Sequence, residues 1–255
     1  MIVAVAFCPH PPALLPDVAQ GAAPDLADVR AAAVEAVRTV ARPGMSVLVV
    51  GAGPANRYFP PGALGSMAGF GVEVTARLGR PEPAPAADEP PRGHAPLPLS
   101  LTVGAWLLRE ALGSADLAAG GWSFMQSRNL DPDAVHALAE RAVHASCALL
   151  VMGDGSARRS TSAPGHLDER AAGFDATVAA ALAGGDPREL ARIDPALGGQ
   201  LLAAGVPAWH AAAAVLAGHR FRAALQIDAA PRGVGYFVAT WLAPDVSSES
   251  GEAHA

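Results

Sequence analysis

Cys8 and His10 stand in the run FCPHPP, where Pro9, Pro11 and Pro12 hold the backbone on either side of the histidine. A proline fixes its own φ, lacks an amide donor and pushes the preceding residue to extended geometry, so a strand arriving here must end. An imidazole fixed in this way is suited to ligate a metal or to move a proton near neutral pH. A second polar run, GDGSARRSTSAPGHLDER, carries Asp154, Ser156, Arg158, Arg159 and His166. Its two guanidiniums suit a carboxylate or phenolate. Cys8 with His10 is a possible thiol–base pair, since residues two apart on a strand face one side, although no third orienting residue is evident.

The elements that position these groups are legible from apolar periodicity. Residues 1–6 (MIVAVA) and 147–152 (CALLVM) are expected strands, and each runs straight into one of the polar runs. The carboxyl ends of strands are where open α/β sheets place their sites. Residues 45–50 (MSVLVV) form a third strand, apolar throughout as for a strand covered on both faces. Over residues 26–40, Leu26, Val29, Ala33, Val34, Val37 and Val40 make a helical stripe, with Asp25 placed to cap it. Strand, helix and strand imply a β-α-β unit whose two strands are parallel neighbours.

The loop GAGPANRYFPPGALGS that follows is rich in glycine but fits neither GxGxxG nor GxxxxGK[ST], so a phosphate site is not indicated. Residues 70–78 read as a strand or a strand and turn, and 79–98 as a proline-rich surface excursion. Helices are expected over 99–111, with Gly113, or Gly120 and Gly121, breaking the pattern beyond it, after the Asp131-Pro132 start, over 168–182, and after Asp186. His136 and His144 share the second of these helices with Glu140, a pattern of a solvent-facing stripe. Residues 201–217 contain Gly205 and Pro207 and read as two helical segments. Residues 221–228 and 233–242 close the chain as a hairpin, which makes the sheet mixed.

Composition narrows the function classes. Hydrophobic residues make up 51% of the 255 and charged residues only 16%, enough apolar material for one large packed domain. The net charge of −6, with no cluster of basic residues, argues against a nucleic-acid backbone as partner. Two cysteines make no disulfide framework, and no signal peptide or membrane span is evident, so the cytoplasm is the expected location. A homodimer is the base-rate expectation for such a chain. One domain is expected over residues 1–244, followed by a disordered polar tail over 245–255.

The opening PHPPALLPDV, the later GDGSARR followed by FDATVAAAL and ARIDP, and the closing GVGYFV together resemble the class III extradiol ring-cleavage dioxygenases, typified by the catalytic subunit of protocatechuate 4,5-dioxygenase. Memo-type proteins share that fold. The resemblance spans residues 1 to about 242, and the opening turn and the GDGS loop are its most specific parts. It implies a single three-layer α/β sandwich with a central mixed sheet and helices on both faces. It also implies Fe(II), or another divalent metal, held by two histidines and a glutamate, with three positions left open for substrate and oxygen.

Residue by residue, His10 stands where the family's first metal histidine stands. The second belongs at the end of the second strand, where this chain reads Val50-Gly51-Ala52-Gly53-Pro54-Ala55-Asn56 with no histidine. The family's acid/base histidine follows the serine of the late motif, where Ser156 is followed by Ala157. For the glutamate ligand, His210 is nearest in placement. His166, Asn56 and His94 are the residues that could fold back into the site. Two readings follow. In the first, His10 and His210 hold a metal while His166, Asp154, Ser156 and Arg158 act on a small aromatic or oxygenated compound. In the second, the fold is kept without catalysis and binds a small molecule or a protein partner.

Overall fold

The computed structural model describes residues 1–42, 45–80, 95–113, 119–125, 130–143 and 146–244. The chain begins with β1 (Ile2–Cys8), a short α1 (Pro16–Ala19), α2 (Ala27–Val40) and β2 (Ser46–Ala52). Three short strands follow, β3 (Arg57–Phe59), β4 (Leu64–Ser66) and β5 (Thr75–Arg77), before α3 (Leu99–Leu112) and β6 (Ala119–Phe124). Then come α4 (Pro132–Val143), β7 (Cys147–Met152) and four helices, α5 (Arg170–Gly184), α6 (Pro187–Ala191), α7 (Pro195–Gln200) and α8 (Val206–Val215). The hairpin of β8 (Arg222–Ala229) and β9 (Tyr236–Leu242) closes the order.

Seven strands form one mixed sheet in the order β3-β6-β2-β7-β1-β9-β8, with β4 and β5 paired apart. The central β6, β2, β7 and β1 run parallel, while β9, β8 and β3 run antiparallel to their neighbours. Strand side chains alternate between two cores. Val5, Phe7, Leu149, Val151, Phe237 and Trp241 pack under α4, α5, α6 and α8, and Trp241 donates its indole N–H to the carbonyl of Leu182. Ala6, Cys8, Leu150, Met152, Tyr236 and Val238 pack under α2 and α3. The expected three-layer α/β sandwich with helices on both faces is therefore the observed one.

Several local expectations hold for the reasons that suggested them. Asp131 accepts from the amides of Asp133 and Ala134 to start α4, and Asp186 caps α6. His136 is exposed and pairs with Glu140 at 3.3 Å. His94, His144 and the tail lie outside the described residues.

Other expectations are corrected. The first two long strands are parallel but not neighbours, because β7 lies between them. CALLVM is buried on both faces, and such a strand gains most from a central slot with partners on both edges. Asp25 does not cap α2, whose N-cap is Leu26 without a side-chain bond; Asp25 instead pairs with Arg232. Residues 201–217 hold one helix, α8, with Pro207 tolerated in its first turn.

Of the glycines expected to break the helix pattern, Gly113 does end α3 as its C-cap, whereas Gly120 and Gly121 lie inside β6. They suit a strand there because side chains press close: a Cβ on Gly120 would meet Tyr58, and one on Gly121 would meet Leu78 and Leu101. Among the described residues no helix is long and apolar enough to cross a membrane.

The approach of α3 to the sheet gives a direct test. A Cβ on Gly104 would lie 2.6 Å from Cγ1 of Val49 and 3.3 Å from Met152. Helix propensity alone favours Gly104→Ala by about 1 kcal/mol, whereas overpacking costs about 1–3 kcal/mol. We expect a lower urea midpoint for this variant; a raised midpoint would show that α3 is not held at this distance.

Candidate functional site at the carboxyl edge of the sheet

Strand register brings three distant residues to one place. Cys8 pairs with Met152 across β1 and β7, and Phe7 pairs with Ala239 across β1 and β9. Continued past the strand ends, the same registers set His10 beside both Asp154 and Tyr236. By alternation all three fall on the α2–α3 face. The chain makes this contact with its backbone as well: Gly153 donates to the carbonyl of Cys8, and the His10 amide donates to Oδ1 of Asp154 at 2.7 Å.

The cluster is deeply set. His10 is 6% exposed, and its Nδ1 is buried without a hydrogen-bond partner, 3.8 Å from Oδ1 of Asp154. Burial pushes the Asp154 carboxyl up from the usual range, a shift opposed by the charge and backbone N–H of His10. Burial, and after it the negative charge of Asp154, pushes the Tyr236 phenol up. A buried polar atom without a partner costs about 1–3 kcal/mol. The bare Nδ1 is therefore the feature of the site most in need of a ligand.

The rest of the GDGSARR run is occupied with holding itself in place. Ser156 is fully buried; its hydroxyl donates to the carbonyl of Leu201 and accepts from the Arg158 amide. Its amide donates to Oδ1 of Asp175 at 2.8 Å, and Arg159 reaches Oδ2 of the same carboxylate at 2.8 Å. Asp175, on α5, was not singled out by the sequence, although a lone carboxylate on the apolar stripe of a helix asks for a cation nearby. Tyr236 was also missed, and the signal for it was the hairpin register. Arg159, expected to hold an anionic ligand, is thus neutralised by Asp175. Arg158 packs its stem against Gly165 and buries an unpartnered Nε.

The remaining candidates do not join His10. His210 lies on α8, across the sheet, where Nε2 bonds the carbonyl of Ile193 at 2.8 Å. Burial lowers its pKa, partly offset by that bond. His166 is exposed at a left-handed turn and bonds Ala163 through its amide. Both ends of the Asn56 amide are engaged, with Asp131 and with the amide of Met125. Cys8 is 1% exposed with its thiol toward the carbonyl of Ala33, and burial pushes its pKa up, the opposite of an activated nucleophile.

A facial iron centre needs two imidazoles and a carboxylate in one place. Among the described residues, no group of three His, Cys, Asp or Glu side chains is placed to hold a metal ion. The described residues do not fit the metal that the resemblance implies.

Fold and site together define a three-layer α/β protein with a largely buried His–Asp–Tyr cluster at the carboxyl edge of its parallel strands. No protein-family model matches the chain, and no curated protein is significantly similar to it. Among solved structures, it is similar to the crystal structure of uncharacterized protein JW3007 from Escherichia coli K12, with a TM-score of 0.51 and 14% identity. The match covers 94% of this chain and 99% of that one, and at this identity it shows a shared fold.

The raised carboxyl of Asp154 sets a pH dependence. A group whose pKa is higher folded than unfolded contributes stability below its unfolded value, about 3.9 for Asp, and loses that contribution as pH rises through the folded value. The stability of Asp154→Asn relative to the unmodified chain should therefore become more favourable from about pH 4 to about pH 7. Thermal melts of both proteins across that range check it; a constant or falling difference would mean that Asp154 is not held in a desolvated site.

Proposed function

We propose that this chain is a divergent, cytoplasmic member of the class III extradiol dioxygenase superfamily that binds a small hydroxylated aromatic molecule without metal-centred ring cleavage. The observation that carries the reading is the bare, buried Nδ1 of His10 beside the half-buried carboxylate of Asp154. A hydroxyl group satisfies both at once, since it donates to one and accepts from the other. The ring of Tyr236 supplies an aromatic wall on the same face. An anionic ligand is disfavoured, because Asp154 sits in the seat and Arg159 is already paired.

The substitutions at the family's other positions support the same reading. Asn56 is locked to Asp131 and Met125 near the place of the second metal histidine, and Ala157 has no proton to transfer. What is kept from the resembling family is the opening turn and its register with the GDGS loop. Those features make a binding seat; they supply neither a metal's ligand set nor a proton relay.

Calorimetric titration with catechol, followed by oxygen-uptake measurements after reconstitution with Fe(II), tests this. We expect saturable binding that His10→Ala weakens at least about tenfold, equivalent to about 1.4 kcal/mol, and no Fe(II)-dependent oxygen uptake. Uptake that requires both Fe(II) and His10 would contradict the proposal in favour of a working dioxygenase. An absence of saturable binding would contradict the binding seat.

A further inference from the structure

A second crevice lies at the opposite end of the parallel strands. It encloses about 250 Å³ between the starts of β2 and β6, the edge strand β3 and α4, lined by Leu48, Tyr58, Pro61, Gly120 and Arg141 among others. Its volume is just under the range of about 300–1,000 Å³ usual for drug-sized ligands, so its occupant is small. Arg141 lies over the ring of Tyr58, with its guanidinium carbon 3.5 Å from the ring centroid. Tyr58 is itself backed by Trp122, at 5.6 Å between ring centroids. The close seat depends on Gly120, where a Cβ would sit 2.9 Å from the Tyr58 oxygen.

This guanidinium is oriented but not neutralised. Most described arginines engage a carboxylate or a carbonyl, as Arg159 does with Asp175 and Arg170 with Asp168. Arg141 has no ion pair or hydrogen bond among the described residues. The acid next to it in sequence, Glu140, is turned to His136 instead. Stacking fixes the plane of the fork, leaves its N–H edge available, and lowers the entropy lost when a planar anion binds. Leu48, Val47 and Pro61 add apolar walls to the crevice. Among the described residues no second cation and no helix N-terminus lines it, which suits one carboxylate better than a phosphate.

We propose that this crevice is a binding site for a small apolar monocarboxylate, whose carboxylate pairs with Arg141 and whose body lies against Leu48 and Pro61. The site is independent of the seat at His10. Saturation-transfer NMR with benzoate as the probe, and benzamide as its neutral counterpart, tests the proposal on the full chain. Benzoate should bind saturably with a dissociation constant of about 1 mM, and benzamide at least several-fold more weakly. Arg141→Ala, at an exposed position that leaves the core untouched, should abolish benzoate binding. Arg141→Lys should weaken it at least about fivefold, because the ammonium keeps the charge but loses the flat fork. His10→Ala should leave it unchanged. Failure of benzoate to bind the folded wild-type protein, or equal binding to Arg141→Ala, would overturn the proposal; so would full retention in Arg141→Lys, or loss in His10→Ala.

Discussion

The parallel pairing of β1 with β7 is the constraint on which the rest depends. Strand side chains alternate with a period of two, so a one-residue slip would turn His10 and Asp154 to opposite faces and invert both hydrophobic cores. The register is held by apolar residues on both sides of each strand: Val5 and Phe7 against one helix layer, Ala6 and Cys8 against the other. Local polar bonds then extend it past the strand ends, from Gly153 to Cys8 and from His10 to Asp154. A polar cluster at the sheet edge is in this sense a consequence of burying two strands that lie far apart in sequence.

Burying polar groups imposes a second constraint, and the loop after β7 meets it almost entirely from within. Asp175 takes the amide of Ser156 and the guanidinium of Arg159, Ser156 spans to Leu201, and Gly235 donates to the carbonyl of Ser156. Removing one partner of a buried ion pair costs about 3–5 kcal/mol, so Asp175 and Arg159 are tied to each other and withdrawn from ligand chemistry. Against this background the His10 ring stands out. It occupies a rigid turn, is buried, and leaves its Nδ1 without a hydrogen-bond partner.

Much of the fold was legible because the sequence carries local signals in the right places. CALLVM marks a strand over its whole length, and the Asp131 and Asp186 caps sit where a carboxylate can take free helix amides. Strand order was not legible, because β1 and β2 are equally consistent with adjacency and with a third strand between them. The glycines of β6 read as breakers because their purpose, room for Tyr58 and Leu101, belongs to tertiary packing. At the site, sequence found His10 and Asp154 through their strand-end placement. It could not see that Ser156 and Arg159 would be consumed by the scaffold, or that α8 would carry His210 to the other face, since both depend on partners remote in the chain.

Anomalous diffraction at the iron edge, from crystals grown with Fe(II) under anaerobic conditions, bears most directly on whether His10 is a binding residue or a metal ligand. A seat built from His10, Asp154 and Tyr236 alone predicts no iron peak within coordination distance of His10, with the Asp154 carboxylate still holding the His10 amide. An iron peak on His10 completed by two further protein ligands would contradict it.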